Sequence, residues 1–187
     1  MKLEKDVIAP VFKVKDVLGR DIDLNTYRDK KLLIGFFRHA GCPFCNIRVH
    51  ALSKVQEALK PKGFEMIFFF ESLAKVIARS TFHAELTPIP IISDPEKVWY
   101  DAYGLESSGY KAAMSHLTTF VQTAFKAYQK RIPMHMMAGN ESIQTMPAEF
   151  LIDKGLMIKK VHYSERLTDR MNVDDIKAFA ENGQMLD

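Results

Sequence analysis

Two cysteines, one tryptophan and a near balance of charge are what this chain of 187 residues has least of. Each shortage excludes something. Two cysteines are too few for a disulfide scaffold, and a structural zinc site needs four ligands where only one Cys-x-x-Cys is present. A formal charge of +3, with Lys and Arg scattered among Asp and Glu, leaves no basic stripe of the kind nucleic acid requires. Long apolar runs are missing too: "MIFFF" at 66–70 is far too short to cross a bilayer, and the opening "MKLEKDVIAP" holds no apolar core of leader length. The expectation is therefore a cytoplasmic protein with no membrane or nucleic-acid partner. No internal repeat or low-complexity tract appears. What is abundant is apolar material, 47% of residues, enough for one well-buried core and hence a single domain over 1–187.

The order of elements carries more information than the composition. A short apolar stretch, "VFKV" (11–14), precedes a turn at Leu18-Gly19-Arg20. Residues 32–38, "LLIGFFR", and 65–70, "EMIFFF", are continuous apolar runs of buried-strand type. Between them Pro43 suits the first turn of a helix, and helical spacing continues to Lys60 before the stop "KPKG". Ser72 is placed to cap a helix whose Leu73, Val76 and Ile77 face inward, and "PIPIISDP" supplies another strand. Asp94-Pro95 opens a further helix, with Val98, Ala102 and Tyr103 inward and Gly104 as terminator. From 110 to 131 apolar side chains recur every three or four positions, predicting a helical insertion or lid within 106–145. "AEFLID" and "LMIKKVHY" then flank a turn as a β-hairpin, and Asn172 caps a last helix with Asp174 and Asp175 in its first turn.

Both cysteines fall in "FFRHAGCPFCNIRVH" (36–50), at the mouth of the helix that follows the first buried strand. Strand, Cys-x-x-Cys and βαβ context together predict an α/β chain with a thioredoxin-like fold: a central mixed β-sheet flanked by helices, with the helical insertion added. Around the helix Cys45 shares the apolar stripe of Val49, Leu52, Gln56 and Leu59, while Cys42 sits at the open N-terminal end. Cys42 is thus read as reachable and Cys45 as covered. The helix dipole, worth roughly 0.3–2 kcal/mol, lowers the Cys42 pKa by about one and a half units at most. Pro43 shapes that first turn. Arg38 and His39, just upstream, are candidates to add positive potential, and His39 is the favoured one of the two. The chemistry this arrangement fits is nucleophilic: Cys42 attacks a disulfide and Cys45 resolves the product. Two inert core cysteines are the competing reading.

These residues resemble the peroxiredoxin-like branch of the alkyl hydroperoxide reductase and thiol-specific antioxidant family. The resemblance runs from "DVLGRDIDLNTYRDKKLLIGFFRHAGCPFC" through "EMIFFFES" and "IISDPEKVWYDAYGLE" to "FLID", and skips the insertion. It implies antioxidant or disulfide chemistry without a bound cofactor, the redox-active Cys42-Cys45 pair serving instead. Implied partners are a disulfide-containing protein, a small thiol or a hydroperoxide, together with an external thiol reductant. The sequence departs from the peroxiredoxin pattern Pro-x-x-x-Thr-x-x-Cys. That pattern puts the peroxide-attacking sulfur at Cys45, with Arg38 in place of the proline and Cys42 in place of the threonine. A peroxidase using Cys45 is the alternative function, and a non-catalytic metal or partner binder a third. "QTMPAEFLID" also matches the thioredoxin pattern of a cis-proline beside the dithiol, which implies a cis Met146-Pro147 bond and a substrate-binding role for both residues.

Other features have duller readings. Met134, His135, Met136 and Met137 are soft ligands that suit Cu(I), but methionines after an amphipathic helix more often fill apolar gaps. For zinc, His39 and His50 would have to complete the Cys-x-x-Cys pair from one short segment, so no metal is expected. His83, His116 and His162 stand alone. The apolar face of the insertion is read either as a roof over the cleft beside Cys42 or as a homodimer contact.

Overall fold

The computed structural model describes residues 1–79, 88–108, 141–142 and 144–183. A small antiparallel hairpin, β1 (Lys13–Lys15) with β2 (Asp21–Asp23), turns at Gly19. The main sheet contains β3 (Lys31–Phe36), β4 (Phe64–Phe70), β5 (Ile91–Ser93), β6 (Ala148–Asp153) and β7 (Met157–Tyr163), in the spatial order β5-β4-β3-β6-β7. Its β3/β4 and β4/β5 pairs are parallel, whereas β3/β6 and β6/β7 are antiparallel. The expected mixed sheet is present. Described helices are α1 (Pro43–Leu59), α2 (Ala74–Ala78), α3 (Val98–Ala102) and α4 (Val173–Asn182).

The continuous apolar strands hide a strict alternation. Leu33, Met66, Phe68, Phe70 and Leu151 point to the side covered by α1 and α4, where Val49, Leu52, Ile176 and Phe179 meet them. Leu32, Ile34, Phe36, Ile67, Phe69, Phe150 and Ile152 point to the other side, against Phe12, Tyr100 and Tyr103. A sheet buried on both faces needs apolar residues at every position, so period two vanishes from the sequence. Gly35 has a specific reason: a Cβ there would lie 2.9 Å from the Phe37 ring. Its absence lets Phe37 fold back under the strand end, where it packs edge-on to Phe68.

Two helix starts differ from expectation. The helix after Asp94 begins only at Val98, because Lys97 takes a left-handed φ of +59° and breaks the phase. Val98 is consequently 57% exposed, Ala102 also faces outward, and Tyr100 and Tyr103 turn in. Asp94 still satisfies the helix mouth, accepting the N–H groups of Val98, Trp99 and Tyr100. Ser72 does not cap α2, whose N-cap is Leu73 without a side-chain bond. The last helix starts as expected, with the Asn172 side chain accepting the Asp174 N–H at 2.9 Å.

Residues 109–140 of the expected 106–145 insertion, with the methionine cluster, His83 and His116, lie outside the described residues. Its two ends are described, and they pair. Ser107 bridges Thr145, the Ser108 N–H donates to the Gln144 carbonyl at 2.7 Å, and the Met146 N–H donates to the Glu106 carbonyl.

Candidate active site

Strand β3 delivers the chain into a loop, residues 37–42, whose polar groups are pinned from several directions. The Ala40 N–H donates to Ser72 Oγ at 2.7 Å, and the Ser72 hydroxyl donates in turn to the buried Glu141 carboxylate. Asn46 Nδ2 donates to the Ala40 carbonyl at 2.8 Å, and the Cys42 N–H to the His39 carbonyl at 3.0 Å. Ser72, which looked like a helix cap, is therefore a brace for the cysteine loop. A second buried carboxylate, Glu71, accepts the Ser142 N–H and the Thr145 hydroxyl and pairs with Lys97 Nζ at 3.0 Å.

Helix α1 begins as the sequence indicates, with Pro43 at its first position and Cys42 as N-cap. Cys45, Val49, Leu52, Gln56 and Leu59 are all buried, as the stripe requires. The reading of Cys42 as reachable is corrected: both sulfurs belong to residues with 0% exposure, packed in one cluster with Met146 and Phe44. Both cysteines are free thiols.

Arg38 is fully buried and reaches both sulfurs. Its backbone N–H donates to Cys45 Sγ at 3.4 Å, and Nη1 donates to Cys42 Sγ at 3.7 Å. Burial alone pushes the Cys42 thiol up. It is overcome by the Cys45 S–H donating to Cys42, by the Arg38 charge, by the Cys45 backbone N–H facing the sulfur short of a full cap hydrogen bond, and by the field of Arg170. The outcome is a Cys42 pKa of about 6. Cys45 moves the other way, raised by its own burial and then by its neighbour's hydrogen bond and negative charge. One proton is thus shared unequally: Cys42 is the thiolate, Cys45 the thiol.

His39, favoured as the tuning cation, turns instead toward Glu141, its Nδ1 3.9 Å from Oε2. Arg38 takes the role assigned to it. The cis expectation at Pro147 is also corrected, since no cis peptide bond occurs among the described residues. Chain running extended from the Thr145 bridge into β6 needs no kink there. Met146 and Pro147 are buried, with the Met146 N–H held by Glu106 and the Pro147 carbonyl accepting the Ser164 N–H at 3.0 Å, so those two groups are not open to an extended substrate.

Sequence reasoning missed the support behind α1. Arg48 grips Glu149 of β6 with both Nε and Nη2 at 2.7 Å, and Nη2 also donates to the Met171 carbonyl. Glu149 closes the ring by accepting the Met171 N–H at 3.1 Å. The available signal was a Glu inside the apolar strand "AEFLID", a position that needs a cation. Among the described residues no group of three or more His, Cys, Asp or Glu is placed to hold a metal ion, and no helix is long and apolar enough to cross a membrane.

Comparison with known proteins agrees with this geometry. Residues 6–161 match the AhpC/TSA family. A thiol peroxidase from Chromobacterium violaceum is similar at a TM-score of 0.68 and 14% identity, covering 98% of this chain and 89% of that one. Peroxidoxin BcpB from Mycobacterium tuberculosis is similar at 0.61 and 12%, covering 89% and 90%. A putative thiol:disulfide interchange protein DsbE from Chlorobium tepidum gives 0.57 and 17%, covering 86% of each. The fold is thioredoxin-like. No curated protein sequence matches the chain.

Proposed function

The chain belongs to the AhpC/TSA family, and on that premise we propose that it is a thiol-dependent oxidoreductase whose Cys42-Cys45 dithiol carries out thiol-disulfide exchange in antioxidant defence. The observation that carries this reading is the asymmetry of the pair: Arg38 Nη1 lies 3.7 Å from Cys42 Sγ and lowers its pKa, while Cys45 stays protonated behind it. In the first step the Cys42 thiolate attacks one sulfur of a substrate disulfide, forming a mixed disulfide and releasing one thiolate. Cys45 then loses its proton to that leaving group or to water and attacks Cys42 Sγ, closing the Cys42-Cys45 disulfide and expelling the second thiol. Two electrons pass to the substrate, and an external thiol reductant returns them. A small thiol, a disulfide-containing protein or a hydroperoxide is the partner class, and a reducing, cytoplasmic compartment suits a pair that must be regenerated as the dithiol.

A Cys45-centred peroxidase is the second reading, favoured by the Arg38 N–H that points at Cys45 Sγ. The raised pKa of Cys45 speaks against it. Turnover of insulin disulfides and of hydrogen peroxide by the wild type, Cys42→Ser and Cys45→Ser separates the two. Dithiol exchange predicts loss of insulin reduction in Cys42→Ser and a trapped mixed disulfide in Cys45→Ser. A first peroxide turnover that survives Cys42→Ser and disappears in Cys45→Ser replaces it with the peroxidase.

A further inference from the structure

Beside the dithiol lies a cavity of about 280 Å³, walled by Phe44, Ile47 and Ala51 of α1 and by Leu167, Thr168 and Arg170 of the loop before α4. Phe44 lies between the two cysteines in the chain, and the charge of Arg170, which lines the cavity, acts on both sulfurs. Among the described residues, two arginines line the cavity and no acid does. Arg48 is already occupied, its Nε and Nη2 fork closed on both oxygens of Glu149. Arg170 is not. Its Nη1 donates to Ser164 Oγ at 3.2 Å and to the Asp169 carbonyl at 2.7 Å, while Nε and Nη2 are buried without a hydrogen-bond partner. The adjacent Asp169 carboxylate does not serve them: Oδ1 lies 3.1 Å from His162 Nε2 and Oδ2 accepts the Glu165 N–H. The unpartnered Nε and Nη2 edge of Arg170 is thus the same planar fork that Arg48 uses on the carboxylate of Glu149.

We propose that this cavity receives the carboxylate end of a small thiol or its disulfide, held two-pronged by Nε and Nη2 of Arg170, with its sulfur presented to Cys42. The assignment rests on the dithiol reading above and names its substrate class. A carboxylate supplies two oxygens in the geometry that fork requires. A small molecule is favoured over a folded protein because both sulfurs are fully buried and the cavity has room for only a short chain. The reaction balances as before: RS–SR plus the dithiol gives two RSH and the Cys42-Cys45 disulfide, the anchored carboxylate taking no part in bond making.

The test measures oxidation of the reduced protein by three disulfides of similar size under pseudo-first-order conditions: anionic 3,3′-dithiodipropionate, neutral 2-hydroxyethyl disulfide and cationic cystamine. For the wild type the anionic disulfide should react about tenfold faster than the neutral one, one good charge-assisted contact being worth about that factor. Arg170→Gln should bring this ratio to about one, whereas Arg166→Gln, which removes the same charge from an exposed site on the same loop, should keep it. Thr168→Glu, a substitution at an exposed position that places a carboxylate at the cavity, should invert the order in favour of cystamine. It also serves if Arg170→Gln does not fold. A wild-type ratio near one, or a preference that survives both Arg170→Gln and Thr168→Glu, overturns the subsite while leaving the dithiol chemistry intact. If none of the three disulfides oxidises the pair, the dithiol reading itself falls.

Discussion

Arg38 helps to set Cys42 apart from Cys45, its charge adding to the hydrogen bond that Cys45 donates. Replacing it with Met removes a buried charge 3.7 Å from Cys42 and should raise the Cys42 pKa by about 1–3 units, from near 6 toward that of a free thiol. Iodoacetamide alkylation followed against pH reads this directly as a shifted midpoint, and Arg38→Lys should recover part of the shift. The same ionisation controls stability. A thiol whose folded pKa is depressed stabilises the fold above its unfolded pKa and loses that contribution as pH falls through the folded value. Reduced wild type should therefore gain stability relative to Cys42→Ser between about pH 6 and about pH 9, measured by urea unfolding at successive pH. A flat difference across that window means Cys42 is not depressed. Much of this was legible in the sequence: Cys42 at the helix mouth, Cys45 in the apolar stripe. The size of the shift was not, because the dipole alone gives about half of it at most, and the shift depends on where Arg38 and the second thiol point.

Helix α1 is held at both its start and its flank. Its flank contact is the buried Arg48–Glu149 pair, and breaking such a pair from one side leaves a charge stranded at about 3–5 kcal/mol. Glu149→Gln should lower the unfolding free energy by an amount of that order in denaturant titration. Exchanging both partners for apolar residues of similar volume should be much less damaging. Asn172→Ala, at the head of α4, should destabilise by about 1 kcal/mol through loss of the cap. Elements with strong punctuation were legible: Pro43 and Asn172 mark their helices, and the β6/β7 hairpin pairs as its apolar runs suggest. The helix after Asp94 was misphased because a left-handed Lys97 leaves no trace in residue type. Ser72 has the right chemistry for a cap, yet a backbone N–H 32 positions earlier in the chain claims its oxygen, and such long-range competition is invisible locally.

At the scale of the whole molecule, the segment between Ser108 and Glu141 leaves and rejoins the fold at one point, where Ser107 and Thr145 are bridged and Glu71 ties Ser142 and Thr145 to Lys97. A variant in which residues 109–140 are replaced by a four-residue turn should still unfold cooperatively, since its ends are already together, and each halving of the connection recovers about 0.6 kcal/mol of closure entropy. Calorimetry and the insulin assay on that variant separate a scaffold role from a substrate-selecting one: altered preference among disulfides marks a lid, and loss of a dimer with unchanged preference marks a subunit contact. The burial of both sulfurs has a further consequence for tempo. Reagents can touch Cys42 only in the brief intervals when its surroundings open, so heating should quicken its reactions steeply, as it quickens local opening, and any mutation that loosens its surroundings should make it quicker to react but less discriminating.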